Sequence, residues 1–167
     1  MKLVIDACSI ILLAKATVLE ELTKWKGIMI TKGVYNEVLE GKDEKLLDAL
    51  LLEKLVEEKK IPIKNNLKRE LIQKLSKDFG LGIGESESLA LALETSDKAM
   101  VTDNKQGRKA AKIQGLKLLG SIDIVIALYK AKRIDKEKAI SALKNLKDNG
   151  WFQDYLMEKA LEEIQNG

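Results

Sequence analysis

Histidine is absent from this sequence of 167 residues, and Cys8 is its single cysteine. Without an imidazole, the chain cannot build a catalytic triad or dyad, or a zinc site, that depends on histidine. A single thiol also excludes an internal disulfide and a multi-cysteine metal cluster, and Cys8 is expected to be a small buried residue. The remaining candidates for chemistry are carboxylates, hydroxyls, Lys, Arg, Tyr and a metal ion bound by oxygen atoms.

Proline and aromatic residues are scarce as well. The only proline is Pro62, and the polar stretch around it, residues 57–66, is expected to be a loop. The two Trp, three Tyr and two Phe residues form no obvious surface for stacking nucleobases. Trp151 and Phe152 are instead expected to pack against the last helix or a dimer partner.

Long hydrophobic runs are missing too. A span of the bilayer needs about 20 apolar residues, whereas the longest candidate, residues 3–14, is interrupted by Asp6 and Ser9. No basic and then apolar leader is found at the start of the sequence. We therefore expect a cytoplasmic protein with no membrane partner.

The overall composition is that of a globular protein. Hydrophobic residues make up 46% and charged residues 33%, and 29 Lys and Arg stand against 26 Asp and Glu. This length suits one domain that buries about two-thirds of the surface of its unfolded chain. Residues 1–167 are predicted to form a single domain, with residues 135–167 as a C-terminal helical extension packed on it. The net charge of +3 does not by itself indicate a nucleic-acid partner.

Short apolar strands alternate with helices along the chain, which predicts an α/β domain with a parallel sheet. Thr17 is a candidate cap for the helix that follows it. Predicted strands cover residues 3–5, 28–30, 99–102 and 116–119. Predicted helices cover residues 10–14, 18–25, 33–39, 44–52, 66–79, 85–95, 106–113, 122–131, 136–146 and 152–164.

Two aspartates directly follow predicted strands. Asp6 comes after the first strand and Asp103 after the third. In open parallel sheets, ligands bind outside the carboxyl ends of the strands, so both carboxylates are expected at the same edge of the sheet. The alternative for each residue alone is a helix N-cap, because Asp is favoured there.

Two glutamates are candidates for the same site. Glu37 borders the apolar face of the helix that begins near Gly33, and Glu85 lies at the start of the helix after Gly84. Each has a simpler explanation: Glu37 as a solvated charge, and Glu85 as an acid that stabilises a helix start.

A group of four carboxylates needs a counter-charge. Two unit charges ~4 Å apart cost roughly 4 kcal/mol at an effective dielectric constant of 20. Mg²⁺ and Mn²⁺ prefer oxygen ligands, and such an ion lowers the pKa of a bound water and neutralises a phosphate during in-line displacement. The pattern therefore indicates phosphodiester hydrolysis.

The sequence resembles the PIN-domain family, and most closely a prokaryotic subgroup of predicted nucleic-acid-binding proteins. The resemblance covers nearly the whole chain, including the closing helices. It rests on the order and spacing of short motifs in residues 4–15, 34–38, 84–92, 101–104, 107–111 and 118–121.

The resemblance implies a three-layer α/β/α fold with a central parallel sheet of four to five strands. It also implies a ribonuclease site in which Asp6, Glu37, Glu85 and Asp103 hold Mg²⁺ or Mn²⁺, with Ser9 and Thr102 lining it. The partners that it implies are RNA, a second copy of the chain and, in the case of a toxin, a protein antitoxin. Other family members process RNA.

The sequence departs from the family pattern in two ways, of which the first is extra length, in residues 42–78 and in the C-terminal helices, and the second is the residue after Asp103. Many relatives carry a second acid after the last aspartate, whereas this chain has Asn104, a neutral oxygen donor that would also line the site. This change weakens the case for a second metal ion. Glu87 is a second candidate for the position of Glu85, although residues two apart on a helix do not share a face.

Basic residues follow the last of these acids. Arg108 and Lys112 are four residues apart and share a helix face, where they are expected to hold RNA phosphates; a solvated helix face is the alternative.

The preferred function is a divalent-metal-dependent endoribonuclease. The first alternative is a nucleic-acid-binding or regulatory module that no longer cleaves. A phosphatase with Asp6 as nucleophile is a weaker one, because Cys8 stands where such enzymes carry a second Asp.

Overall fold

A computed structural model of the chain describes residues 1–40 and 46–167. The predicted start of one helix, Glu44, lies outside these residues. Within the described ranges the elements follow in this order: β1 (Lys2–Ile5), α1 (Ala7–Lys15), α2 (Leu19–Trp25), β2 (Gly27–Thr31), α3 (Lys32–Leu39), α4 (Leu47–Glu57), β3 (Ile63–Lys64), α5 (Arg69–Phe79), α6 (Ile83–Glu94), β4 (Ala99–Val101), α7 (Lys105–Ile113), β5 (Lys117–Leu119), α8 (Ser121–Lys130), α9 (Lys136–Asn149) and α10 (Asp154–Asn166).

The five described strands form one parallel sheet in the order β3-β2-β1-β4-β5. Side chains alternate between the two faces of this sheet. In β1, Leu3 and Ile5 pack into one apolar cluster, and Val4 packs into the other. Both faces are therefore covered by helices, which explains why the central strands are apolar throughout. The predicted α/β/α architecture is confirmed.

The helices divide between the two faces. The larger cluster contains buried residues of α1, α2, α4, α8, α9 and α10, and the smaller contains residues of α5, α6 and α7. The first group is called here the α1 layer and the second the α6 layer. Helix α3 contacts both α1 and α6 at the edge between the layers.

The order of the strands creates a crevice at the middle of the sheet. From β1 the chain continues to β2 and β3 on one side, and later to β4 and β5 on the other. The strand order therefore reverses between β1 and β4. Ligands of open parallel sheets bind at this switch point, outside the carboxyl ends of the strands. Asp6 and Asp103 follow these two strands.

The expected loop at residues 57–66 is wrong in part, because it contains strand β3. Ile63 pairs with Ile30 of β2, and the carbonyl of Pro62 accepts a hydrogen bond of 3.2 Å from the Ile30 amide. Proline has no N–H to donate, so it stands just before an edge strand and contributes only its carbonyl. Two strand residues give too little periodicity to be recognised from sequence.

The expected cap at Thr17 is also wrong. Its φ is +61°, whereas an N-cap residue adopts an extended conformation. Val18 occupies the cap position of α2 without a side-chain bond, and the Thr17 hydroxyl instead accepts a hydrogen bond of 2.7 Å from Lys138.

The glycine-rich stretch joins two helices. Gly80 ends α5 in the left-handed conformation, with φ of +62°, which glycine adopts without strain. Helix α6 begins at Ile83, two residues before the predicted start, so that Gly84 and Glu85 lie in its first turn.

The last two helices pack on the rest of the fold. Helix α9 contacts α1 and α8, and α10 contacts α8 and α9. Leu143 and Leu146 of α9 are fully buried, as is Ile164 of α10. In the described part of the chain, no helix combines the length and apolar character needed to cross a membrane.

We expect Leu146→Ala to lower the free energy of unfolding by about 2–5 kcal/mol, because it opens a cavity between α9 and the core. Leu156→Ala is the matched control, since Leu156 is 41% exposed. Urea denaturation measures both. Equal stability of the two variants would contradict the prediction that residues 135–167 belong to the single domain.

Candidate acidic site at the sheet edge

Asp6 is held at the end of β1 by hydrogen bonds to both of its carboxylate oxygens. Oδ1 accepts from the Ser9 amide at 2.9 Å, and Oδ2 accepts from the Thr102 hydroxyl. The first contact makes Asp6 the N-cap of α1, as the simpler interpretation predicts. Asp6 is only 3% exposed.

Asp103 follows β4 but does not cap the next helix. Asn104 has that role, since its Oδ1 accepts from the Gly107 amide at 2.9 Å. Asp103 Oδ1 accepts from the Ser121 amide at 2.9 Å, while Oδ2 accepts from the Ser9 hydroxyl at 2.7 Å and from the Ser121 hydroxyl. The N-cap explanation for Asp103 is therefore wrong.

Ser9 connects the two aspartates directly. Its amide donates to Asp6 and its hydroxyl donates to Asp103, and the Ser9 side chain is fully buried. The two strand-end carboxylates thus lie on the same rim of the sheet, as their positions in the sequence predict.

Ser121 was not among the site residues predicted from the sequence. It is the first residue of α8 and is fully buried, and it donates to Asp103 from both its amide and its hydroxyl. It lies 18 residues after Asp103, with α7 and β5 between them. Its position just after β5, within the motif of residues 118–121, was the available signal.

Glu37 and Glu85 approach the same site from two helices. Glu37 lies on α3 and Glu85 in the first turn of α6. A Cβ atom built on Gly84, the neighbour of Glu85, would lie 3.6 Å from Glu37 Oε2. Glu85 Oε2 accepts from the Gly82 amide at 3.2 Å, so this side chain also stabilises its helix start.

Glu87 is directed elsewhere. Its Oε2 accepts from the Gly33 amide at 3.2 Å, at the beginning of α3. It is not among the residues that line the cleft described next. Of the two candidates, Glu85 and Glu87, Glu85 is therefore the one that faces the cleft.

A cleft of about 370 Å³ opens between these elements. The cleft is bordered by the start of α1, the start of α6, the N-cap residue of α7, one side of α3 and the end of α9. Asn149, at the C-terminus of α9, was not expected here, because nothing in its local sequence shows where α9 ends relative to the sheet. The cleft is lined by Asp6, Ala7, Cys8, Ile11, Leu12, Glu37, Gly84, Glu85, Asn104 and Asn149.

The cleft makes the charged forms of Asp6 and Glu37 less favourable than they are in water. Burial raises the pKa of Asp6 to about 6, against the opposing effect of its hydrogen bonds from Thr102 and Ser9, and the charge of Asp103 adds to the rise. The pKa of Glu37 is also raised, by burial and then by the charges of Glu85 and Glu40. In the described parts of the chain, no ion pair includes Asp6, Glu37, Glu85 or Asp103.

Cys8 is affected by the negative charge of the same acids. It is exposed at the mouth of the cleft, which corrects the expectation of a buried residue. Position 8 is in the first turn of α1, where the side chain projects into the cleft rather than onto the sheet. Partial burial, and after it the charges of Asp6, Asp103, Glu37 and Glu85, together raise the pKa of its thiol to about 11. All four acids therefore act on one sulfur atom.

The donor atoms suit a hard divalent cation. Carboxylate, hydroxyl and amide oxygens surround the cleft, and these are the ligands that Mg²⁺ and Mn²⁺ prefer. Within residues 1–40 and 46–167, no three carboxylates or thiols stand close enough to bind one ion together. Binding would therefore require the acidic side chains to turn toward one another, against their mutual repulsion.

Arg108 lies beside the site. Its Nη1 donates to the Thr102 carbonyl at 2.9 Å. A Cβ atom on Gly120 would be 3.1 Å from this Nη1 atom and 3.0 Å from Asp103 Oδ1. Part of the guanidinium is therefore used to fix the end of β4. Lys112 is exposed in the last turn of α7.

Comparison with known proteins identifies a family. A family model described as DUF3368: PIN domain matches residues 2–166. Neither a curated protein nor a solved structure matches the chain.

We expect Asp6→Asn to stabilise the metal-free protein at pH 7.5, by up to about 3 kcal/mol. The pKa of about 6 in the folded protein lies above the ordinary value of 3.8 for an aspartate, so the Asp6 carboxylate lowers the stability of the fold as pH rises from about 4 to about 6. An amide carries no such penalty. Urea unfolding in EDTA, from pH 4 to 7.5, measures the difference. Parallel pH curves for the two proteins would contradict the buried charge.

The thiol of Cys8 should react slowly with iodoacetamide at pH 8, roughly 100-fold slower than in the unfolded chain, because only the thiolate attacks. Glu85→Gln removes one of the four charges and should raise the rate. Glu94→Gln, at the exposed far end of the same helix, is the control and should leave it unchanged. Equal rates in both variants would mean that Glu85 does not act on the cleft.

Proposed function

The chain belongs to the PIN-domain family, whose members are generally nucleases, and we propose that it is a divalent-metal-dependent endoribonuclease. One observation carries the proposal: Asp6, Glu37 and Glu85 line a single cleft at the switch point of the sheet, and Asp103 is joined to Asp6 through Ser9. In the described residues, no cation forms an ion pair with any of these four acids. A concentration of negative charge of this kind suits a bound cation better than a bare anionic substrate.

Asp6, Glu37, Glu85 and Asp103 would hold Mg²⁺ or Mn²⁺. When bound, such an ion lowers the pKa of water and offsets the charge that develops on a phosphate during displacement. The two aspartates are the fixed ligands, since Ser9, Thr102 and Ser121 donate to them from buried positions. The glutamates project from helices α3 and α6, and Glu85 would have to give up its hydrogen bond with the Gly82 amide to turn toward the ion.

Other side chains of the site would position the RNA. Ile11 and Leu12 form an apolar wall that limits the access of bulk water to the cleft. Arg108 stands next to Asp103, with only part of its guanidinium used by the Thr102 carbonyl, and remains a candidate for a phosphate contact together with Lys112. Asn104 uses Oδ1 as a cap, which leaves its amide nitrogen to contact substrate.

The proposal extends to partners. The enzyme would act either as the toxin of a toxin–antitoxin pair or in RNA processing, and as a homodimer. Apolar surface for a second copy or for an antitoxin exists at the start of α4, where Leu46 is 38%, Leu47 81% and Leu50 42% exposed.

A second candidate function is a module that binds nucleic acid without cleaving it. The observation in its favour is the spacing of the acids, since in the described residues no three of them can share an ion as they stand. Binding without cleavage under any divalent ion would support this alternative.

The decisive experiment compares Asp6→Asn with the unaltered protein on single-stranded RNA in the presence of Mn²⁺. We expect cleavage to fall by at least about 100-fold, because even partners of metal ligands are worth 10–100-fold. Since the same change is expected to stabilise the fold, lost activity would not reflect unfolding.

Glu94→Gln serves as the control, because it removes a surface acid of α6 far from the cleft. Isothermal titration with Mn²⁺ provides a readout that does not depend on the choice of RNA. Unchanged cleavage by a pure preparation of Asp6→Asn would refute the assignment.

A further inference from the structure

Trp151 is the most exposed large apolar side chain in the described structure, at 87%. It lies in the connection between α9 and α10, residues 150–153, next to Phe152, which is half-buried and packs on the larger core cluster. Of two adjacent aromatic rings, one anchors the connection and the other is held out in solvent. The expectation that Trp151 packs against the last helix is therefore wrong.

The connection lies at the rim of the acidic cleft. Asn149, two residues before Trp151, lines the cleft. A Cβ atom on Gly150 would lie 3.0 Å from Leu12 Cδ2 and 2.7 Å from Phe152 Cε2, so the backbone there is pressed against α1. Leu12 also lines the cleft. Trp151 is thus attached to a tightly packed part of the cleft wall.

Resting on the proposed function, we propose that Trp151 stacks on an unpaired nucleobase of a single-stranded RNA bound across the cleft. An exposed aromatic ring contributes to nucleic-acid binding by base stacking, which tolerates any sequence. Its place beside the acidic cleft sets the stacked base close to the phosphodiester that would be cleaved. Trp151 is accordingly a substrate-positioning residue, separate from the acids.

The distribution of charge supports a strand that crosses the cleft. The connection that carries Trp151 packs on the α1 layer through Phe152, whereas α7 belongs to the α6 layer on the opposite face of the sheet. The start of α7 reaches the cleft at Asn104, and Lys105, Lys109 and Lys112 are exposed along it. Cations on one side would hold phosphates while the ring on the other side holds a base.

This arrangement selects single strands over duplexes. In an A-form duplex the bases are stacked on one another, and side chains contact mainly phosphates and 2′-hydroxyls. A flexible single strand can turn one base out onto Trp151 while its backbone passes the acids. The proposed specificity therefore arises from the availability of a free base face.

Tryptophan fluorescence tests the stacking without any turnover. The chain has two Trp residues, and Trp25 lies apart from the cleft, in α2, under the ammonium group of Lys26 at 4.3 Å. Titration with a ten-nucleotide oligouridylate in EDTA should quench the emission of the unaltered protein. Trp151→Phe should show no such quenching, and a ten-base-pair RNA duplex should quench far less.

Binding and kinetics provide the second measurement. We expect Trp151→Ala to weaken binding of the oligouridylate about 10-fold or more and to raise KM similarly, with kcat little changed. Trp151→Phe, which keeps a ring, should bind nearly as well as the unaltered protein. Ile113→Ala, at an exposed apolar residue at the end of α7, is the control.

The possible results separate this proposal from the nuclease assignment. Quenching in the unaltered protein and weakened binding in Trp151→Ala, with no cleavage by the unaltered protein under any divalent ion, would support stacking and reject the nuclease. Cleavage with an unchanged KM in Trp151→Ala would overturn stacking alone. Normal RNA binding combined with a loss of self-association in Trp151→Ala, seen by sedimentation, would assign the ring to a protein interface and overturn the proposal.

Discussion

The arrangement of this site depends on one electrostatic constraint: Asp6, Glu37 and Glu85 line one cleft with Asp103 close by, and none of the four has a paired cation in the described part of the chain. The fold imposes this closeness, because the carboxyl ends of parallel strands share an edge and the strand order reverses between β1 and β4. At Asp6 and Glu37, burial first and neighbouring charges second raise the pKa and favour the protonated acid. A group of residues that opposes folding in this way is typical of function.

Hydroxyl groups make the arrangement tolerable. Ser9, Thr102 and Ser121 are fully buried and donate to the carboxylates of Asp6 and Asp103. Such bonds favour the charged form and fix the oxygens in space, yet they add no positive charge to the cleft. A lysine in the same place would neutralise the acids and compete with a metal ion. Neutral donors thus preserve both the negative field and its geometry.

The sequence allowed the sheet and its rim to be predicted because both depend on local patterns. Apolar triplets such as Leu3–Ile5 indicate buried parallel strands, and an aspartate directly after one has a fixed position. Other features depend on distant parts of the chain. Asn149 reaches the cleft only because α9 crosses the α1 layer, and Cys8 is exposed only because a cleft opens at its side of α1. The short strand β3 exists only as a partner of β2.

An acidic cleft cannot itself attract a polyanion. Each phosphate that enters meets the field of Asp6, Glu37, Glu85 and Asp103, and in a partly buried site that field is weakly screened. Affinity for nucleic acid must therefore come from outside the cleft, while the cleft supplies the place for a cation. The exposed lysines of α7 belong to one layer, the connection that carries Trp151 packs on the other, and both elements adjoin the cleft. The groups proposed to bind RNA are thus separate from the acids of the cleft.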